Sequence, residues 1–154
     1  MSSIIRFQPG GEEKENFQPK EIKEIDLLDI ELEVYKEYNN INKLMSQNKV
    51  PIICENIYKD KFGEEVLGLC YLDNIYIKRS QLKNIQSFAS TYIHELIHYS
   101  SGFSDCTREF EYELTSTIGY LYNLIYRNNP VKEEIVNKKQ NKFNLIKKIF
   151  KLKS

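Results

Sequence analysis

The 154-residue sequence has no tryptophan, two histidines and three cysteines, Cys54, Cys70 and Cys106. An odd, sparse set of cysteines excludes a disulfide framework. No two cysteines stand in a Cys-x-x-Cys pair, which excludes a thiolate zinc knuckle. There is no Gly-rich phosphate loop and no nucleophile elbow. No window approaches the roughly 20 apolar residues of a membrane span, and the first 20 residues lack the apolar run of a secretory leader. One-sided charge is missing too: Lys+Arg and Asp+Glu both number 22, for a net charge of zero. That balance gives no global drive toward nucleic acid or an anionic membrane. A soluble, reducing, cytoplasmic setting is the expectation, with neither membrane nor nucleic acid as partner.

What is present suits one domain. The hydrophobic share is 41%, enough for a modest core, and 11 tyrosines and 8 phenylalanines carry its aromatic packing. Residues 1–19 read as a polar arm broken by Pro9, Gly10, Gly11 and Pro19. From Pro19 to Met45, Ile22, Ile25, Leu28, Leu32 and Tyr35 recur at three- and four-residue steps, which predicts one long helix. The stretches PIICENIY, EVLGLCYL and NIYIKR are short, rich in β-branched and aromatic residues, and separated by turn-like residues. They predict two or three antiparallel strands. A helix follows from Ser80, a candidate N-cap, to a stop at Gly102. Another runs from a cap at Asp105 or Thr107 toward Pro130. The domain expectation is an arm over 1–19, a globular part over 20–130, and a basic helical segment over 131–154. In that last segment seven lysines between Lys138 and Lys153 read as a solvated helix face.

Both histidines fall in one motif, H-E-x-x-H, as His94 and His98 with Glu95 between them. At that spacing two imidazoles lie on one helix face, a turn apart, and can grip one zinc ion. Glu95 lies about 100° around the helix, where its carboxylate can meet a water rather than the metal. A zinc-acidified water, with Glu95 taking its proton and passing it to a leaving amine, is the chemistry of peptide hydrolysis. By accident the motif arises on the order of once in a few hundred chains of this length. The flanking Phe88, Ala89, Tyr92, Ile93, Leu96 and Ile97 add the apolar character of a buried helix.

A catalytic zinc usually has three protein ligands, and no third histidine exists. The candidates are Asp105, Cys106, Glu109, Glu111 and Glu113. If Phe110, Leu114, Ile118, Leu121 and Ile125 form the buried stripe of the next helix, Glu111 lies about 60° from its centre. Glu113 then lies about 100° off and Glu109 about 140° off. Glu111 is therefore the expected third ligand, with Thr115 four residues on as a possible hydrogen-bond partner to a ligand. Asp105 reads either as a helix cap or as a partner to a ligating imidazole. Tyr92, Tyr99, Tyr120 and Tyr122 are near in sequence, and packing is the expected role of all four. The strand NIYIKR, just before the motif helix, offers a candidate edge for an extended peptide.

On these residues the chain resembles a minimal zincin of the gluzincin kind, similar to ImmA/IrrE-type and ArdC-type metallopeptidase-like domains of bacteria and phages. The likeness covers roughly residues 50–128 and is most specific in FASTYIHELIHYSSG, with TREFEYELTSTIGYLY resembling the Glu-bearing helix. It implies an α+β fold in which a small antiparallel sheet packs on the motif helix and a following Glu-bearing helix. It also implies Zn²⁺ held by His94, His98 and Glu111 or Glu113, with Glu95 as base. HYSSGFSD is also similar to the metzincin extension, with Gly102 and Asp105 each one residue late. Met1 and Met45 are the only methionines, so no Met-turn follows the motif. Asp105 is thus the alternative third ligand. The implied activity is a zinc-dependent peptidase acting on a protein or peptide, with a regulatory protein as one class of target. The alternative is a non-catalytic zincin-like regulatory domain that keeps the metal site.

Overall fold

The computed structural model describes residues 19–59 and 62–128. The arm expected over 1–19, all but its last residue, and the basic segment expected over 131–154 lie outside the described residues. The fold is α+β, with four α-helices and a three-stranded sheet among the described residues. The helices are α1 (Asp29–Lys36), α2 (Tyr38–Met45), α3 (Ile85–Ser101) and α4 (Arg108–Arg127). The strands are β1 (Ile52–Cys54), β2 (Gly68–Tyr71) and β3 (Asn74–Lys78). Among the described residues no helix is long and apolar enough to cross a membrane.

The single helix expected over 19–45 is divided. Residues 20–22 run extended beside β1, with the Ile22 N–H on the Ile53 carbonyl (2.8 Å) and the Glu55 N–H on the Lys20 carbonyl (3.1 Å). Backbone donors spent on a strand cannot also close helical turns. A 3-10 turn at Glu24–Asp26 follows, and α1 then starts after Leu28, whose N–H is capped by the Glu31 carboxylate (2.9 Å). Ile25 and Leu28, counted into the periodic stripe, are exposed. The other expected positions, Ile22, Leu32 and Tyr35, do lie in or against the core, together with Leu27, Val34, Tyr38, Ile41 and Met45.

The sheet order is β1-β3-β2. β2 and β3 form an antiparallel hairpin, Tyr71 opposite Asn74 and Leu69 opposite Tyr76. Leu72 and Asp73 turn it with φ of 44° and 69°, the left-handed pair that a two-residue hairpin turn requires. β1, by contrast, is parallel to β3. The sheet is therefore mixed rather than antiparallel throughout. A parallel neighbour needs a long crossover, and the chain between β1 and β3 passes through β2 on its way.

Alternation of side chains along the strands builds a core on each face. Ile53, Ile75 and Ile77 meet Leu82, Phe88, Tyr92 and Leu96. Phe88, Tyr92 and Leu96 recur every fourth residue, so α3 lays one continuous stripe on the sheet. On the opposite face Cys54, Leu69 and Tyr76 are covered by Ile57, Tyr58 and Val66 of the crossover. Tyr92 ties α3 to α2, its hydroxyl sharing a proton between the Lys49 carbonyl (2.6 Å) and Asn42 Oδ1 (3.0 Å). α3 is capped by Asn84 rather than Ser80, because a 3-10 turn occupies Arg79–Lys83 and Asn84 Oδ1 accepts the Ser87 N–H (2.8 Å). It stops at Gly102, where a φ of 72° suits the residue without a Cβ.

The chain divides into two compact units, residues 1–115 and 116–154. The first holds the sheet, α1 to α3 and the opening turns of α4. The described part of the second is the remainder of α4, on which Ile118, Tyr122, Ile125 and Tyr126 are exposed.

Candidate metal centre

His94 and His98 sit a turn apart near the C-terminal end of α3, as an i, i+4 pair must. Their Nε2 atoms are 3.1 Å apart. Asp105 Oδ1 lies 3.1 Å from the first and 3.2 Å from the second. Three donor atoms thus form a nearly equilateral triangle. Tetrahedral zinc with bonds of 2.0–2.1 Å to nitrogen or oxygen sets its ligand atoms about 3.3 Å apart, so the donor set fits that ion.

Local chemistry aims the donors. His98 Nδ1 is 2.7 Å from the carbonyl of Phe103 and can only donate there, which puts the ring proton on Nδ1 and leaves the Nε2 lone pair facing the centre. Phe110, buried at the start of α4, stacks on the His98 ring (4.1 Å, 13°) and meets the His94 ring edge-on (4.9 Å, 66°). Two lone pairs and a carboxylate oxygen within 3.2 Å of one another repel unless a cation or a shared proton lies between them. Burial and the neighbouring His98 hold the His94 pKa below the usual histidine value, which favours the neutral ring a metal needs. The side chains of His94 and Asp105 are 36% and 51% exposed, against 6% for His98, so one side of the triangle opens to solvent.

Asp105 reaches this position through the loop. After Gly102 the chain passes a second left-handed residue, Cys106 (φ 60°). Thr107 then starts α4, its hydroxyl capping the Phe110 N–H (3.2 Å). Of the two expected cap residues Thr107 is the one used, and Asp105 is left to turn toward the histidines.

Glu111, the expected third ligand, lies outside this group. Among the described residues, the cluster able to share a metal is His94, His98 and Asp105. The reason is a rotation of α4. Its buried and half-buried positions are Phe110, Glu113, Leu114, Thr117, Leu121 and Leu124, while Ile118 and Ile125 are exposed. That moves the stripe centre about 50° around the helix and carries Glu111 to the exposed side. Glu113 is half-buried but is likewise not among the clustered donors. Thr115 bonds to the Glu111 carbonyl (2.8 Å), as ordinary helix threonines do.

Glu95 is only 7% exposed. Desolvation, then the charge of Asp105, pushes its carboxyl pKa up to about 8, while a hydrogen bond from the Cys70 backbone opposes the rise. Gly68 lies directly against this carboxyl: a Cβ there would stand 2.7 Å from Glu95 Oε1 and 2.6 Å from Thr91 Cγ2. Sequence reading missed Gly68. Its one signal was a glycine inside a strand, which often marks a close approach. β3, expected as the free edge, is the central strand, paired on both sides. The edge beside the motif helix belongs to β2.

Comparison with known proteins finds no family model that matches the chain, and neither a curated protein nor a solved structure that does.

Proposed function

We propose that the chain is a zinc-dependent peptidase in which His94, His98 and Asp105 hold the metal and Glu95 is the general base. The observation that carries this reading is the triangle of three donor atoms, 3.1–3.2 Å on a side, closed against Phe110 and open to solvent. Three protein ligands with a free fourth position is the pattern of a catalytic zinc, whereas a structural zinc takes four. Zinc, when bound, supplies Lewis acidity that polarises a carbonyl and acidifies water to a pKa near about 7.

The chain's own groups divide the remaining work. His98 is oriented by the Phe103 carbonyl, and both rings are braced by Phe110. Glu95, one residue along the helix from His94, accepts a proton from water and delivers it to the departing amine. The side of the triangle that opens to solvent, at His94 and Asp105, leaves room for a peptide carbonyl to approach, which suits a protein or peptide substrate. A reducing, cytoplasmic setting belongs to the same reading, on the odd and sparse set of cysteines in the sequence.

The test is metal content and hydrolysis on the purified full chain. One zinc per chain is expected, with cleavage of an unstructured protein such as denatured casein. Glu95→Gln is expected to keep the zinc and lose the cleavage. A chain that binds no zinc, or a Glu95→Gln variant that cleaves as well as wild type, overturns the proposal. Zinc bound without cleavage by either protein points instead to the non-catalytic regulatory reading.

A further inference from the structure

The Glu95 carboxyl is held by the strand edge as well as by its own helix. In an antiparallel pair, alternate residues turn their N–H and C=O groups toward the partner strand. The Lys78 N–H bonds to the Leu67 carbonyl (2.9 Å). With the register of the hairpin, this makes 67, 69 and 71 the residues of this segment that face β3. The backbone groups of Gly68 and Cys70 therefore point the other way, out from the edge. The hydrogen bond from the Cys70 backbone to Glu95 is made on that outward side.

Room for it depends on residue 68. Leu69 is packed on the far face of the sheet, so positions 68 and 70 face α3. A Cβ at 68 would stand 2.6 Å from Thr91 Cγ2, 2.7 Å from Glu95 Oε1 and 2.9 Å from Glu95 Cγ. All three are closer than non-bonded heavy atoms pack. Thr91 is stiff about χ1, and its hydroxyl is 3.2 Å from Gln81 Oε1. The carboxylate, at the end of a longer side chain, is the group that would move.

We propose that Gly68 and the outward N–H of Cys70 position the catalytic base: the strand edge anchors the Glu95 carboxyl group, and the missing side chain at 68 is the space it occupies. This rests on the peptidase reading for its catalytic consequence, but the anchor itself is measurable without turnover. It assigns a role to a strand glycine and a backbone amide that the metal-binding motif does not include.

The experiment follows the Cys70 amide in the ¹⁵N-labelled, metal-free full chain. Glu95→Ala removes the acceptor and is expected to shift the Cys70 amide proton upfield by more than any β3 amide. Gly68→Ala is expected to produce the same shift, and Thr91→Ser is expected to leave it in place. Should Gly68→Ala fail to fold, Gly68→Ala combined with Thr91→Ser removes the Cγ2 contact while keeping the one with Glu95. In the zinc-loaded enzyme that double variant is expected to keep one metal per chain and an unchanged KM. Its kcat is expected to fall on the order of 10- to 100-fold, the usual effect of misplacing a catalytic group by about 1 Å. A Cys70 amide indifferent to Glu95→Ala overturns the anchor, whatever the activity. Wild-type kcat in the double variant overturns the positioning role. A wild-type chain that hydrolyses nothing while its Cys70 amide responds to Glu95→Ala overturns the peptidase reading and leaves the anchor standing.

Discussion

Stability of the metal-free chain should fall as pH rises from 6.5 to 8, and Glu95 should be the cause. The Glu95 carboxyl is raised from 4.5 to about 8, first by burial and then by the charge of Asp105. In the unfolded chain it ionises near the ordinary carboxylate value, so folding at neutral pH takes up a proton. A group raised in the folded state contributes stability that is complete below the unfolded pKa and is lost as pH climbs through the folded one. His94 acts in the opposite direction: its folded pKa is lowered, so the stability it contributes is lost as pH falls below about 6.5. At pH 6.5 the unfolded ring is still half protonated, so His94 offsets about 0.4 kcal/mol of the fall before it is neutral in both states, and above about pH 7.5 Glu95 supplies the slope of this pair. Each pH unit costs about 1.4 kcal/mol while the folded carboxyl stays protonated and the unfolded one does not. The slope bends over near 8, so the interval from 6.5 to 8 should remove about 1–2 kcal/mol. With m near 2 kcal/mol/M, the urea midpoint should move down by roughly 0.5–1 M. Glu95→Gln, which carries no titrating proton, should lose this part of the pH dependence. Equal slopes in wild type and Glu95→Gln would refute the assignment of that proton to Glu95.

Three further outcomes follow from the geometry. Asp105→Ala removes one corner of the donor triangle and should weaken zinc binding by more than the 10- to 100-fold typical of losing an outer partner; Glu111→Ala should leave affinity unchanged in the same chelator competition. Phe110→Ala empties a buried site against both imidazoles and should lower unfolding free energy by about 3–5 kcal/mol, with Phe110→Leu recovering part of the loss in urea melts. Tyr92→Phe removes the hydroxyl that serves the Lys49 carbonyl and Asn42 and should cost about 1–3 kcal/mol, measured by thermal unfolding at one pH.

The parts of the fold legible in the sequence are those governed by local pattern. The stripe of Phe88, Tyr92 and Leu96 and the stop at Gly102 need only helical periodicity and one left-handed residue, and α3 carries both. The alternation of Ile75 and Ile77 marks β3 in the same way. What the sequence hid was pairing at a distance. Residues 20–22 carry the same apolar spacing as the helix that follows, yet their backbone is taken by β1. The parallel alignment of β1 with β3 leaves no local mark either, because the sign of a strand pair depends on the path of the crossover and not on the strands. Gly68 shows the same limit, since its reason lies in Glu95, a residue on another element.

The candidate site divides along the same line. The histidine pair was legible because both rings come from one helix turn, where spacing alone fixes the geometry. A third donor on α4 depends on where that helix carries its apolar stripe, and a rotation of about 50° is enough to exchange a buried flank for an exposed one. Asp105 needed a different argument, one of chain length. Between α3 and α4 a single short loop does two things, the Phe103 carbonyl fixing the His98 tautomer and Asp105 completing the triangle, and the first turn of α4 then sets Phe110 against both rings. Closing so short a segment costs little loop entropy, and the left-handed turns at Gly102 and Cys106 set its path. A donor brought in by this loop is held by the same backbone that orients the imidazole beside it. Glu111 would have depended on how far α4 is rotated about its own axis. Pre-organisation of the centre therefore argues for Asp105 on grounds separate from the distances, because the elements that position it are those that already position His98.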